Sequence, residues 1–421
     1  MAPAAPPLYI LTMRAAEYEN PRLRPLEAIP ELGRNRMVLR DPTQLAAGVL
    51  VVGSVQFTLL SLLDGRSRRE IQAEFARRCG QVLLSEELDG VLEQLNEAGF
   101  LEGSGFEAYY ARLLREYQDA PYRPLRDADS YGAPAAQLPS YLDDALAAAD
   151  DGAPARGDLA AIIAPHLDFP RGLPCYADSY LRVRRSTPPR RVVVLGTNHF
   201  GRARSVVASG KDFQTPWGVV PTDRDFLAQL QAECGGNLMP YELDHLREHS
   251  IELHAIWLHH LLGDGFRLVP VLCPDPSGPR GTAPGDEGGV DLREFALALG
   301  ALIRRDPEPT LVVASADLSH VGRYFGEDRD LSRAYLEAVR KTDLTALGFV
   351  ERNDPEGFRS HMAGTQNPTN ICSVGCIYAT LVAVGGTAEP HQLRYHQAVT
   401  QEMENAVTCA SFAFYNDEEQ G

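Results

Sequence analysis

From Asp158 onward the chain alternates short unbroken apolar runs with longer amphipathic ones. LAAIIA (159–164), RVVVLG (191–196), RLVPVL (267–272) and TLVVAS (310–315) have the length of strands buried on both faces. Helical segments separate them, at Asp223–Glu233, Ser250–Leu262, Asp291–Arg304 and Asp330–Val339. This alternation predicts an α/β fold, a parallel sheet with helices on both faces. VTCASFAFY (407–415) adds a further strand.

The first hundred residues read differently. Arg36–Arg40 and Val49–Val52 predict short strands, followed by helices at Ser54–Leu63, Arg68–Arg78 and Glu86–Ala98. Ser67 with Glu70 makes a capping box, Ser85 is a candidate N-cap, and Gly99 suits a C-cap. Ile71, Phe75, Leu88, Val91, Leu92 and Leu95 recur at helical spacing, and Phe100-Leu101 would begin a wing strand. The expectation is a small winged-helix-like domain over 22–103. Between the halves, 104–157 mixes Pro, Ala, Asp and Gly without sustained periodicity, which predicts a linker with one short helix at Ser140–Ala149. The larger domain then spans 158–415, with a Gly/Pro-rich loop at 273–291 inside it.

Composition narrows the function classes. The 421 residues are 44% apolar and 23% charged, which permits a sizeable core and excludes wholesale disorder. Forty basic against 57 acidic residues leave a net charge of −17, which argues against nucleic-acid partners and anionic membrane surfaces. No run approaches the roughly 18 apolar residues of a spanning helix, and the first residues lack a basic n-region, so a cytoplasmic location is expected. Seven scattered cysteines suit reduced thiols rather than a disulfide framework.

In open α/β sheets, ligands gather beyond the carboxyl ends of the strands. Three predicted strands end there in polar residues: Pro165-His166-Leu167-Asp168, Thr197-Asn198-His199, and Ala316-Asp317-Leu318-Ser319-His320. His166 and His199 are one βαβ unit apart, so adjacent parallel strands would bring both imidazoles to one edge. In NPTNICSVGC, Thr369 or Asn370 could cap a helix whose first turn holds Cys372, where the dipole favours thiolate. That thiolate would either complete a metal site with the two histidines or act as a nucleophile. Cys376 reads as a buried small hydrophobe. DHLREHSIELHAIWLHH (244–260) holds no H-E-x-x-H; Glu248, His249, Glu252 and His254 could reach the sheet edge. Glu248 and Glu252 otherwise read as a solvated pair, and His259 and His260 as surface residues. P-loop, nucleophile-elbow and dinucleotide-binding motifs are absent. A Cys372–His199 hydrolase or transferase stays a minor alternative.

Two resemblances follow from these residues. LLDG-x-x-x-x-x-I and the closing EAGFL make residues 22–103 similar to the PqqD-like domains, small peptide-binding chaperones of radical-enzyme systems. AIIAPHLDFPRG, VVVLGTNHFG, REHSIELHAIWL, VVASADLSHVG and NICSVGC, in that order, resemble the MEMO family, whose prokaryotic members are often called AmmeMemoRadiSam system protein B. The resemblance implies a fold like the class III extradiol dioxygenases and one iron or copper ion, favoured over zinc, on His166, His199 and Cys372. It places Asp317 and His320 on the family's S-x-D-x-x-H pair and Glu248 and His249 beside the site. Since imidazole titrates near neutral pH, His320 or His249 could then shuttle protons. The resemblance also implies a non-haem oxidoreductase or dioxygenase-like activity, or alternatively an accessory subunit that binds a peptide or a radical-SAM partner, its metal site non-catalytic. The chain departs from the family pattern at Leu167-Asp168-Phe169 for Ala-Gly-Tyr, at Phe200 for a second histidine, and at Ser373-Val374-Gly375 for Gly-Arg-His. These departures predict a retained metal cage and an altered substrate pocket.

Overall fold

A computed structural model describes residues 18–416 except 32–33, 127, 153, 155–157 and 401–402. It divides after Ala120 into two units. In the first, β1 (Glu27–Pro30), β2 (Met37–Arg40) and β3 (Leu50–Val52) form an antiparallel sheet in that order. Helices α1 (Ser54–Ser61), α2 (Arg68–Cys79), α3 (Ser85–Glu97) and α4 (Ser104–Asp119) follow. The Ser67–Glu70 capping box opens α2, and Ile71, Phe75, Leu88, Leu92 and Leu95 share one core. Ser85 is the first helical residue rather than the cap, and the wing expected at Phe100-Leu101 reduces to one bridge between Leu23 and Leu101.

The segment expected to be a linker is structured on both sides of the division. Helix α4 buries Phe106, Tyr109 and Tyr117, and the Tyr109 hydroxyl donates to the Leu45 carbonyl at 2.9 Å. Arg24 lies over the Phe106 ring and pairs with buried Asp41 at 2.9 Å. Helix α5 (Leu138–Ala148), in the second unit, buries Leu138, Leu142 and Leu146 among Phe169, Tyr176 and Trp257. Ala and Asp lead the composition here, but a few large apolar residues at helical spacing supply the packing.

The rest of the second unit alternates as the apolar runs predict. β4 (Leu159–Ala164), α6 (Phe169–Arg184), β5 (Arg191–Thr197) and the short β6 (Val207–Ala208), β7 (Phe213–Thr215) and β8 (Gly218–Val220) come first. Then follow α7 (Arg224–Cys234), α8 (Glu252–Leu262), β9 (Arg267–Cys273), α9 (Leu292–Arg305), β10 (Thr310–Ser315) and β11 (Asp317–Gly322). Helices α10 (Arg333–Glu351), α11 (Pro355–Thr365) and α12 (Val374–Val384) precede a hairpin of β12 (Ala388–Val399) and β13 (Asn405–Asn416). The sheet order is β11-β13-β4-β10-β5-β9-β6, with β12 also on β13. Its centre, β4-β10-β5-β9, is parallel; β6, β11, β12 and β13 are antiparallel additions.

Period-two burial explains the unbroken apolar runs. Ala161, Ile163, Val193, Leu195, Val312 and Ala314 face one core, with Phe295 and Ile377. Ile162, Ala164, Val192, Val194, Leu311 and Val313 face the other, with Tyr176 and Trp257. Both faces of each central strand are covered, so no polar alternation survives. Among the described residues no helix is long and apolar enough to cross a membrane.

His254 lies fully buried on α8, its Nδ1 2.7 Å from the Tyr180 hydroxyl, and burial pushes its pKa down to about 3. The folded protein therefore keeps it neutral, whereas the unfolded chain takes up a proton below about pH 6.5. Acidification through that window lowers stability by about 1.4 kcal/mol per pH unit for this group. His254→Gln keeps a partner for Tyr180 and removes the titration. Its cost in urea unfolding should shrink by about 1.4 kcal/mol between roughly pH 7.5 and 5.5; a pH-independent cost would show that His254 is not held neutral.

Candidate metal centre

The loops after β4, β5 and β10 meet at one edge of the sheet. β10 lies between β4 and β5, so His166 and His199 do not leave neighbouring strands, contrary to the expectation from their spacing. Their rings nevertheless meet edge to face, with centroids 4.8 Å apart. The intervening strand contributes its own groups. Asp317 accepts the backbone N–H groups of His166 at 3.0 Å and Leu167 at 3.2 Å. The carbonyl and hydroxyl oxygens of Ser315 lie 3.1 and 3.2 Å from His166 Nδ1. The Ser315 hydroxyl donates to the Ser250 carbonyl at 2.6 Å, so His166 Nδ1 must carry the hydrogen and Nε2 is left as the basic nitrogen.

His199 is oriented in the same sense. Its Nδ1 is 3.1 Å from Glu248 Oε1, and its backbone N–H donates to Oε2 at 2.9 Å. Glu248 is buried and also accepts the Ser250 N–H at 2.9 Å. Burial opposes the charge on each group, yet their mutual attraction outweighs it: His199 is held well above the usual histidine range and Glu248 well below the usual carboxylate range. Far from being a solvated pair, Glu248 and Glu252 are both interior. Glu252 pairs with fully buried Arg123, which also donates to the carbonyls of His245 at 3.1 Å and Glu248 at 2.5 Å. The partner that makes Glu252 interior comes from far away in the chain.

Cys372 arrives on a loop, not on a helix. Helix α12 starts at Val374 after Ser373, so neither Thr369 nor Asn370 caps it, and Cys372 precedes the first turn. Asn367 and Asn370 take positive φ of 46° and 55°, and the Asn367 side chain bonds both the N–H and the carbonyl of Ile371 at 2.8 Å. This turn sets Cys372 Sγ 3.4 Å from His166 Nε2 and 3.2 Å from Ser373 Oγ. Burial pushes the thiol pKa up, with only partial relief from His199. Cys376 is buried one turn further on, 3.4 Å from Thr197 Oγ1.

The other candidates divide. His249 stacks on His199 at 5.1 Å and meets His166 edge-on at 5.5 Å. Asp317 Oδ2 stands 3.5 Å from His166 Nε2, and burial pushes its carboxyl up to about 7. His320 turns to Phe325, with centroids 5.0 Å apart, and its Nδ1 is 3.0 Å from the Leu318 carbonyl. It makes no hydrogen bond to His166, His199 or Cys372 among the described residues. His259, expected at the surface, is buried against Thr215 at 2.6 Å, and His260 bonds Asp143 at 3.0 Å. A cavity of about 500 Å³ opens on His199 and Cys372, walled by Arg204 and by Pro274, Asp275 and Arg280 of the 273–291 loop.

The profile of the family described as "Memo-like protein" matches residues 128–413. The chain belongs to the Memo family. It is 30% identical over 327 residues to a "MEMO1 family protein" of Thermus thermophilus, covering 76% of this chain and 90% of that one. A "MEMO1 family protein" of Aquifex aeolicus is 26% identical over 388 residues, covering 90% of this chain and 96% of that one. A match of that length extends into the N-terminal unit. A solved structure, an uncharacterized protein of Escherichia coli K12, aligns at 15% identity over 61% of this chain and 99% of that one, with a TM-score of 0.36. That likeness is too weak to carry an argument. The family match begins at 128, ahead of the boundary expected at 158, because Tyr131 and α5 belong to the same core as β4.

Donor chemistry in this Memo-family chain fits a single soft or borderline metal ion. The ligand atoms of His166, His199 and Cys372 all lie within 4.8 Å of one another. The edges of a tetrahedral N₂S site are about 3.4–3.7 Å, so small side-chain shifts close the set. A second group, His199, Glu248 and His249, also has ligand spacing, but it would consume the Nδ1–carboxylate bond that orients His199. Glu248→Gln should keep the fold yet lower metal affinity about 10–100-fold, read by chelator competition. Unchanged affinity would mean that Glu248 does not orient a ligand.

Proposed function

We propose that this chain is a mononuclear metal protein with redox chemistry, its ion held by His166 Nε2, His199 Nε2 and Cys372 Sγ. The observation that carries the reading is the pairing of both Nδ1 atoms, by Ser315 and by Glu248, which leaves both Nε2 atoms available beside one thiol. Two imidazoles and a thiolate favour copper, iron or zinc over magnesium and calcium, and iron or copper is the choice that supports redox turnover. Such an ion, held by these three residues, would supply electron transfer to a small oxidant such as dioxygen or peroxide. The protein supplies the rest. Glu248 and Ser315 orient the ligands, and Asp317 Oδ2 and the His249 ring are the proton-bearing groups closest to them. His320 would act only from outside this cluster. The cavity beside Cys372 admits the substrate.

Purified protein should carry about one transition-metal ion per chain, its identity read by anomalous scattering. The triple substitution of His166, His199 and Cys372 by Ala should abolish it. Equal metal content in the triple variant refutes the assignment, and zinc alone refutes the redox chemistry.

A second reading, an accessory subunit binding a peptide or a radical-SAM partner in the manner of PqqD-like domains, draws on the N-terminal unit. β3 pairs only with β2 among the described strands, and Val49 and Val51 at this edge are 51% and 52% exposed. An apolar open edge is a template for an added strand. Val51→Lys in the full chain should weaken capture of a radical-SAM enzyme encoded nearby, with metal content unchanged. Capture that ignores the substitution removes this reading.

A further inference from the structure

Most arginines in the second unit are spent on carboxylates: Arg191 and Arg267 share Asp223 and Glu308, and Arg394 holds Asp178. Arg204 and Arg280 are exceptions. Both are exposed, both line the cavity that opens on His199 and Cys372, and neither guanidinium has a carboxylate partner among the described residues. The nearby acids are engaged elsewhere. Asp275, on the same wall, accepts the N–H and hydroxyl of Ser277 at 2.8 and 2.9 Å. Asp286 accepts the Arg204 backbone N–H at 2.6 Å and the Ser205 hydroxyl at 2.7 Å.

Gly285 brings the two arginines together. A β-carbon there would stand 2.6 Å from Arg204 Cβ and 3.0 Å from Arg280 Nη1, so the loop closes on Arg204 only because this position lacks a side chain. In a chain of net charge −17, two guanidinium groups without carboxylate partners at the mouth of a cavity place cationic donors there, with Asp275 the one carboxylate on the same wall. The forked guanidinium matches oxyanions in geometry as well as charge. A cavity of about 500 Å³ has the size of a small-molecule site.

We infer that Arg204 and Arg280 bind the oxyanion group, carboxylate or phosphate, of a small organic substrate and hold its remainder toward His199 and Cys372. This inference deepens the metal-centre reading and rests on it for the identity of the reacting end. The anion contact itself is independent of any ion.

Calorimetric titration of the full-length protein, metal-free and metal-loaded, with inorganic phosphate and separately with succinate tests it. The metal-free protein should bind at least one of the two saturably, and the preferred anion distinguishes a phosphate ester from a carboxylate substrate. Arg204→Gln with Arg280→Gln should weaken that binding at least about tenfold and leave metal content and melting temperature unchanged, since both side chains are exposed. No saturable binding of either anion, or equal affinity in the double variant, overturns the proposal. Failure of the metal centre appears separately, as missing metal, because the metal-free titrations read the arginines alone.

Discussion

The buried carboxylate of Glu248 is the constraint on which the site depends. A carboxylate this far from water needs several donors, and Glu248 takes them from two separate segments: the backbone and ring of His199 after β5, and the backbone of Ser250 before α8. The loop and the strand end are thereby locked together. Arg123 extends the lock by holding the Glu248 and His245 carbonyls while pairing with Glu252, which the Tyr131 hydroxyl and the Arg126 N–H also bind. Residues ahead of the first parallel strand therefore help to hold the segment that carries Glu248, which gives a physical reason for the family match to begin before β4.

The sheet order supplies the second half of the geometry. Because β10 runs between β4 and β5, the gap between the two histidines is filled by the end of a third strand. Ser315 and Asp317 come from that end, one fixing the tautomer of His166 and the other its backbone. Had β4 and β5 been neighbours, the two imidazoles would have met without either support. The inserted strand defines the basic nitrogen of His166, as Glu248 does that of His199.

The parallel strands were legible because burial on both faces leaves unbroken apolar runs, a signal that does not depend on tertiary partners. His166, His199 and Cys372 were legible as chemistry-bearing residues at strand ends or after a turn sequence. The reasons attached to them were less so. Cys372 owes its place to the Asn367 turn rather than to a helix dipole, since Asn and Thr serve turns and caps alike. Glu248 and Glu252 resemble a solvated i,i+4 pair in any local window; the partners that make them interior, His199 for Glu248 and Arg123 for Glu252, lie far off in the sequence. The aromatic spacing of 106, 109 and 117 was the available sign that the supposed linker is helical there, and the Pro-, Ala- and Asp-containing stretch that follows obscured it.

Departures from the family pattern suggested an altered substrate pocket, yet none of the departing residues lines the cavity beside His199 and Cys372. Asp168 caps α6 by accepting the Arg171 N–H at 3.1 Å, and Phe169 is buried against Tyr176 and Trp257. Ser373 bonds Thr197 at 3.2 Å, while Gly375 lets α12 rest on the Pro274 carbonyl, which a β-carbon would meet at 2.1 Å. Asp168, Phe169 and Gly375 serve capping and packing. Phe200, tilted beside His199 and His249, and Ser373, its hydroxyl 3.2 Å from Cys372 Sγ, change the polarity next to the candidate ligands. The cavity wall instead belongs to Arg204 and the 273–291 loop, which no strand or helix periodicity marks. Strand ends are held by ladder hydrogen bonds on both sides and tolerate little change; a loop wall is free to vary in length and charge. The division follows: the sheet edge carries the candidate donor atoms, and the loop walls the cavity beside them.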